Sequence, residues 1–455
     1  MKFLIGRFTM KNIRQTSAAG KFYTSNKDEL LKQLNEFEQH NIKDYEYKTR
    51  AIIVPHAGYF YSGQLASQGF QYLDKNIKNV FIIAPPHYVP VKNVALSVFE
   101  KWSTPLGEIQ VNQIINDMLV RNFGCEFEDD AFVEEHSIEV QIPFIQKFLP
   151  DAKIIPILAG HNCEKVTRIM NYFWQNEENA FVISSDLSHF YPTGEAKKID
   201  AATAEMIETN DIENFHYEQA CGSVGICAIV NFAKNKSFSL IRVGMVNSGD
   251  VTGDNSRVVG YGSWLLYEGA KNDFIKKYFS PYVIDVCKKA ILAGLNKEKI
   301  IVEKIPEVFN EPGACFVTLE KNNDLRGCIG SIIAHKPLID DLIKNAQNAA
   351  FSDPRFEPLK KDEFEELSID VSLLSTPEKM EFKDEQDLLN QIRPFFDGII
   401  IKDKSYQAVY LPSVWEQLPE KEMFLNSLKI KAGMPPKHFS DTFEAYRFTT
   451  EYIKS

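Results

Sequence analysis

Cysteine is sparse in this chain and follows no pattern. The seven residues, Cys125, Cys163, Cys221, Cys227, Cys287, Cys315 and Cys328, include no CxxC pair. Neither a disulfide framework nor a thiolate zinc site is therefore expected, and a reducing compartment is. Without a CxxxCxxC triplet, the chain cannot by itself hold the iron–sulfur cluster of radical S-adenosylmethionine chemistry. No uninterrupted apolar run approaches the roughly 20 residues that span a bilayer. The opening MKFLIGRFTMKNIRQ lacks the sustained apolar stretch and small-residue cleavage site of a signal peptide. A soluble, cytoplasmic protein with no membrane partner is expected. Positive charge is not in excess either: 51 Lys and Arg stand against 62 Asp and Glu, a net charge of -11. That leaves no basic field for nucleic acid. Internal repeats and low-complexity segments are absent.

What is present is an ordinary globular composition, 44% hydrophobic and 25% charged, over 455 residues. This length exceeds what one core usually serves, so two domains are expected, at 1–268 and 273–455. The first alternates short β-branched runs with helical spacing, the pattern of an α/β fold with a largely parallel sheet. Its strand candidates are 51–55, 79–85, 153–159, 180–185, 239–247 and 257–267. Helix candidates include 27–40, 137–149 and 220–234, the last apolar nearly all round and expected to be buried. After the Gly- and charge-bearing EGAKND, a helix over 273–295 opens the second unit, with Pro281 kinking it or marking its start. Hairpins follow around KNND and DKS, with helices at 337–351 and 421–433, so an α+β domain is expected.

Chemistry-bearing residues of the first domain fall just after its apolar runs. His56 follows AIIVP, His87 follows NVFIIAPP, Asp186 and His189 follow AFVISS, and Asp250 follows the 239–247 strand. In an open parallel sheet the carboxyl ends of the strands share one edge, where ligands bind. Two imidazoles and a carboxylate suit zinc or ferrous iron and leave positions open to substrate. If DLSH opens a helix, Asp186 and His189 share a face, with Ser184 or Ser185 near the cap. Each residue also has a plain structural use: Asp186 as a helix cap, a strand-end histidine as a hydrogen-bonding residue. Convergence of several such positions is what argues for a site. His136, just before a helix expected from Ser137, is a candidate general acid or base, and its neighbours Glu134 and Glu135 favour a protonated ring.

These segments carry a resemblance. Residues of about 15–268 resemble the Memo family through AAGKFYTSN (18–26), PHAGYFYSG (55–63), APPHY (84–88), STPLG (103–107), EEHSIEVQIPF (134–144), SSDLSHF (184–190) and NSGDVT (247–252). The resemblance implies a fold like that of class III extradiol dioxygenases, non-haem-iron oxidoreductases. It also implies that His56 and His87 are metal ligands and that Asp186 and His189 line the same pocket, as the catalytic candidates together with His136. Animal relatives add a cysteine from the segment that here reads NSGDVTGDNS, where none stands. Asp250 offers a carboxylate in its place, or merely shapes a turn. Fe(II) is the expected metal, with Zn or Cu as alternatives.

From about 273 onward the chain resembles the AMMECR1 family through LRGCIG (325–330), AQNAAFSDPRFEPL (346–359), LSIDVSLLS (367–375), DGIII (397–401) and YLPSVWEQ (410–417). Within LRGCIG, Arg326 is suited to grip a carboxylate or phosphate and Cys328 to act as a nucleophile. Alternatively the glycines mark a bulge, Cys328 is core and Arg326 pairs structurally. In prokaryotes both families are associated with a radical S-adenosylmethionine protein, which makes such a protein an expected partner. The function implied is a metal-dependent enzyme or enzyme component acting on a small organic substrate. The alternatives are a non-catalytic binding or scaffold protein on an enzyme-like fold and, more weakly, a metal hydrolase.

Overall fold

A computed structural model of the chain describes residues 13–40, 45–213 and 215–455. Most of the opening segment read above for a signal peptide lies outside them. Two compact units divide between Lys271 and Asn272.

The first unit is built on a nine-stranded sheet: β1 (Ala51–Val54), β2 (Asn79–Ala84), β3 (Val94–Leu96), β4 (Glu126–Phe127), β5 (Lys153–Ala159), β6 (Asn179–Ser184), β7 (His189–Tyr191), β8 (Ser239–Asn247) and β9 (Val258–Tyr267). Their spatial order is β7–β9–β1–β6–β2–β5–β3–β4, with β8 paired to β9. The four central strands, β1, β6, β2 and β5, are parallel. β9 and β3 flank them antiparallel, so the sheet is mixed rather than largely parallel. The central strands are buried on both faces, which is why they read as continuous apolar runs without alternation.

Helices cover both faces. On one lies α1 (Gln64–Gln71), which sits so close to β1 that a Cβ on Gly69 would fall 2.7 Å from Val54 Cγ1. On the other are α2 (Cys163–Phe173) and α3 (Ser223–Lys236). They pack with Ile53, Phe81, Ile83 and Ile183 into a core that includes Trp174, Ile229 and Phe232. A disulfide joins Cys163 of α2 to Cys227 of α3 across 64 residues, with Cα atoms 6.0 Å apart. One disulfide thus stands in a chain whose cysteine spacing suggested no disulfide framework and a reducing compartment. The two half-cystines meet because two helices pack side by side, which local spacing does not reveal. Five cysteines are free.

The second unit opens on α4 (Lys271–Asn296), which runs through Pro281. Pro281 therefore does not mark the helix start, which lies ten residues earlier. Two four-stranded antiparallel sheets follow. The first, in the order β11–β10–β12–β17, comprises β10 (Ala314–Lys321), β11 (Asp324–Gly330), β12 (Leu367–Leu374) and β17 (Thr450–Lys454). The second, ordered β13–β16–β14–β15, comprises β13 (Glu378–Lys379), β14 (Gly398–Asp403), β15 (Tyr406–Tyr410) and β16 (Glu444–Phe448). Asn322 and Asn323 turn the first hairpin with φ of 54° and 68°, values that asparagine tolerates better than most residues. Helices at Leu338–Phe351 and Lys421–Lys431 complete the unit. No helix among the described residues is long and apolar enough to cross a membrane.

Candidate metal centre

The carboxyl ends of β1, β2 and β6 point to the same edge, and there the chain gathers its imidazoles. His56, two residues past β1, is 98% buried. Its Nδ1 meets Ser184 Oγ, at the end of β6, at 2.9 Å. That leaves Nε2 facing inward. His87, past β2, is fixed by Glu135, which accepts from its backbone N at 2.6 Å and meets its Nδ1 at 2.9 Å. His136 is the first residue of a short helix, His136–Glu139, capped by Glu135 through Ser137 N. Its ring stacks on Phe22 with centroids 4.3 Å apart, and its buried Nδ1 makes no hydrogen bond although Glu135 Oε1 lies 3.4 Å away.

One ring nitrogen from each of His56, His87 and His136 lies within 4.8 Å of the other two. Three imidazoles converging on one point, with a buried His136 nitrogen that makes no hydrogen bond, form a donor set fitted to a divalent transition metal. The electrostatics agree. Burial, with His87 beside it, holds His56 well below the ordinary imidazole range. Burial, with His56 and His87, brings His136 down to about 4. The expectation that Glu134 and Glu135 would keep His136 protonated is thus corrected: desolvation and two neighbouring rings outweigh the glutamate. Burial alone would raise the Glu135 carboxyl, but hydrogen bonds from His87 and Ser137 prevail and hold it at about 2. Glu135 is therefore an ionised carboxylate orienting the His87 imidazole.

Asp186 belongs to this edge. Its Oδ1 accepts from His56 N at 2.8 Å and its Oδ2 lies 4.0 Å from His56 Nε2. Burial raises its carboxyl against the opposing bond from His56. The DLSH segment does not open a helix: residues 185–188 are irregular and His189 begins β7, which pairs with β9. Ser184 and Ser185 are accordingly not caps, and Ser184 instead orients His56. His189 is close enough for its charge to act on His56 and Asp186, but it stands outside the three-histidine group. Asp250 lies apart, its exposed carboxylate accepting from Asn247 N at 2.9 Å in a capping box and meeting Lys197 Nζ at 3.5 Å. The structure gives it the turn-shaping use, not the ligand use.

The site is braced from below by a buried ion pair between Arg14 and Glu139, the last residue of the His136 helix. Glu139 also accepts from Ala18 N at 3.0 Å and Tyr23 OH at 2.7 Å, and Arg14 donates to Glu135 O at 2.8 Å. Beside the imidazoles lies a cavity of about 300 Å³ lined by His87, Tyr88, His161, Tyr217 and Cys221 among others. A larger cleft, about 1040 Å³, includes Asn179 at the amino end of β6, away from this chemistry.

In the second unit, Arg326 and Cys328 part company. Arg326 is the extra residue of a bulge where the β10–β11 register shifts, and it binds Glu363 bidentately at 3.0 Å through both contacts. Cys328 Sγ accepts from Thr318 Oγ1 at 3.2 Å, and its backbone N donates to Asp353 at 2.8 Å. Gly327 lets β11 approach the Leu338–Phe351 helix, since a Cβ there would lie 2.1 Å from Ala349 O.

The family model described as Memo-like protein matches residues 14–265, and that described as AMMECR1 matches residues 284–453. A MEMO1 family protein of Thermoplasma acidophilum is 33% identical over 264 residues, 55% of this chain and 97% of that protein. One from Methanobrevibacter smithii is 34% identical over 282 residues, 56% of this chain and 99% of that protein. The crystal structure of an uncharacterized protein from Pyrococcus horikoshii is 32% identical with a TM-score of 0.36, covering 38% of this chain and 88% of that one.

Proposed function

Since the chain belongs to the Memo family through residues 14–265 and carries an AMMECR1 region at 284–453, we propose that its first domain, residues 1–268, is a metal-dependent enzyme centre resembling that of class III extradiol dioxygenases. The observation that carries this is the convergence of His56, His87 and His136 within 4.8 Å as mostly buried rings. These three side chains hold the ion, Fe(II) first, with Zn or Cu as alternatives. When bound, such an ion supplies Lewis-acid activation of a small organic substrate in the adjoining cavity. Ser184 and Glu135 set the direction of the His56 and His87 rings. Asp186 Oδ2, in a carboxyl raised by burial, is placed to hold a proton 4.0 Å from His56 Nε2, and His189 stands at the same edge. A cytoplasmic radical S-adenosylmethionine protein is the proposed partner, and the domain at 273–455 is proposed to act with the first.

The test is metal content of the full chain purified without oxygen. About one iron per chain, lost in both His56→Ala and His87→Ala while circular dichroism stays unchanged, supports the reading. A folded protein that takes up no transition metal under any loading condition rejects it and leaves a non-catalytic binding protein.

A further inference from the structure

Sequence motifs directed attention to the 247–256 segment for a further donor, yet the side chain that touches the imidazoles comes from elsewhere. Cys221 Sγ lies 3.2 Å from His56 Nε2, the ring nitrogen that Ser184 leaves free. Its approach is built into the backbone. A Cβ on Gly222 would stand 2.6 Å from both Ser184 O and Ser185 Cβ, so glycine is required for the loop ahead of α3 to press against the end of β6. The loop is tied there by Gly222 N, which donates to Ser185 Oγ at 2.9 Å, and by Cys221 N, which donates to Asp186 O at 3.3 Å. The sulfur itself is held loosely: it accepts from Asp186 N at 3.2 Å and donates to Asp186 O at 3.6 Å. It also faces the cavity that His87 lines.

Resting on the metal reading above, we propose that Cys221 is a further ligand of the ion held by His56, His87 and His136. Nitrogen and sulfur donors of one tetrahedral ion at about 2.0 and 2.3 Å stand roughly 3.5 Å apart. The His56–Cys221 contact is already at that scale. The thiol lies outside the mutual 4.8 Å group of the three histidines. Rotation about the cysteine's one side-chain bond re-aims the sulfur, with weak contacts to give up. A thiolate turns a three-nitrogen set into a mixed nitrogen–sulfur set. That biases the site toward iron, zinc, cobalt or copper and against magnesium or calcium. It also supplies a further donor where Asp250, the carboxylate expected to do so, is engaged by Asn247 and Lys197.

Cobalt(II) titration of the full-length, metal-stripped chain tests this, because the d–d bands report the site and a near-ultraviolet sulfur-to-cobalt charge-transfer band reports the thiolate. The expected result is both sets of bands in the wild type and in a Cys328→Ser control, with Cys221→Ser keeping d–d bands and losing the charge-transfer band. Cobalt d–d bands without charge transfer in the wild type, or a charge-transfer band that survives in Cys221→Ser, overturn the ligand role and leave the three-histidine site standing. No cobalt uptake at all rejects both. If Cys221→Ser does not fold, alkylation of the wild type decides: cobalt should protect Cys221 from iodoacetamide, and undiminished labelling of Cys221 in the loaded protein overturns the proposal.

Discussion

The carboxyl edge of the first unit's sheet and the LRGCIG strand of the second are both dense in polar groups, but they treat them in opposite ways. Around Arg326 every strong group is answered within the protein: Arg326 by Glu363, Asp353 by Arg355 at 2.7 Å, Cys328 by Thr318. At the sheet edge three imidazoles face one another instead, their neighbours and burial holding His56 and His136 below the ordinary imidazole range, and a buried nitrogen of His136 makes no hydrogen bond. Groups brought together without satisfying each other are poised for something from outside. Groups that close on themselves hold a fold together.

The comparison breaks first where the ion pair beneath the site is removed. Arg14→Ala leaves Glu139 buried and unpaired, and the expected cost is about 3–5 kcal/mol of the first unit's stability in urea denaturation. A loss below about 1 kcal/mol would show that the brace is not what supports the His136 helix.

Acid separates the two units next. In chelator, the folded first unit holds His136 at about 4 against an ordinary 6.5, and His56 well below the ordinary range as well. The unfolded chain then binds more protons than the folded one below about pH 6.5, so stability declines from there toward pH 4. His136 alone accounts for roughly 2–3 kcal/mol of this. In the second unit, Glu363 is held at about 2 against an ordinary 4.5 by Arg326. Its contribution is complete above about 4.5 and is lost only as pH falls toward 2. Hydrogen exchange, read separately on peptides of each unit, should show the first unit loosening at a higher pH, with the effect reduced in His136→Gln. Coincident pH profiles would contradict this.

A smaller effect is expected of Glu135→Gln, which keeps the shape but removes the charge that orients His87. Metal affinity measured against a competing chelator should fall roughly 10–100-fold. Smallest of all, Arg326→Ala should cost about 1 kcal/mol and leave metal affinity unchanged, because its pair lies near solvent.

Much of the sheet edge was legible in the amino-acid sequence, because strands buried on both faces read as unbroken β-branched runs and each marks where its strand ends. His56, His87 and Asp186 stand just beyond such runs. The structure adds what periodicity does not carry. Glu135, read only as an acidic neighbour of His136, binds His87 through a chain reversal. Asp250 sits beyond the expected strand, but its carboxylate folds back on Asn247. Cys221 lay inside a segment read as a buried apolar helix, and the available clue was the glycine following it just ahead of α3. The Cys163–Cys227 bond depends on how α2 and α3 pack, which no spacing encodes.

The central claim, that His56, His87 and His136 share one ion, is tested most directly by anomalous diffraction from crystals of the full chain grown with iron or zinc. The account predicts one strong peak per chain, about 2.0–2.1 Å from a ring nitrogen of each of the three histidines. A peak lying elsewhere, or none in metal-loaded crystals with the three rings ordered, would contradict it.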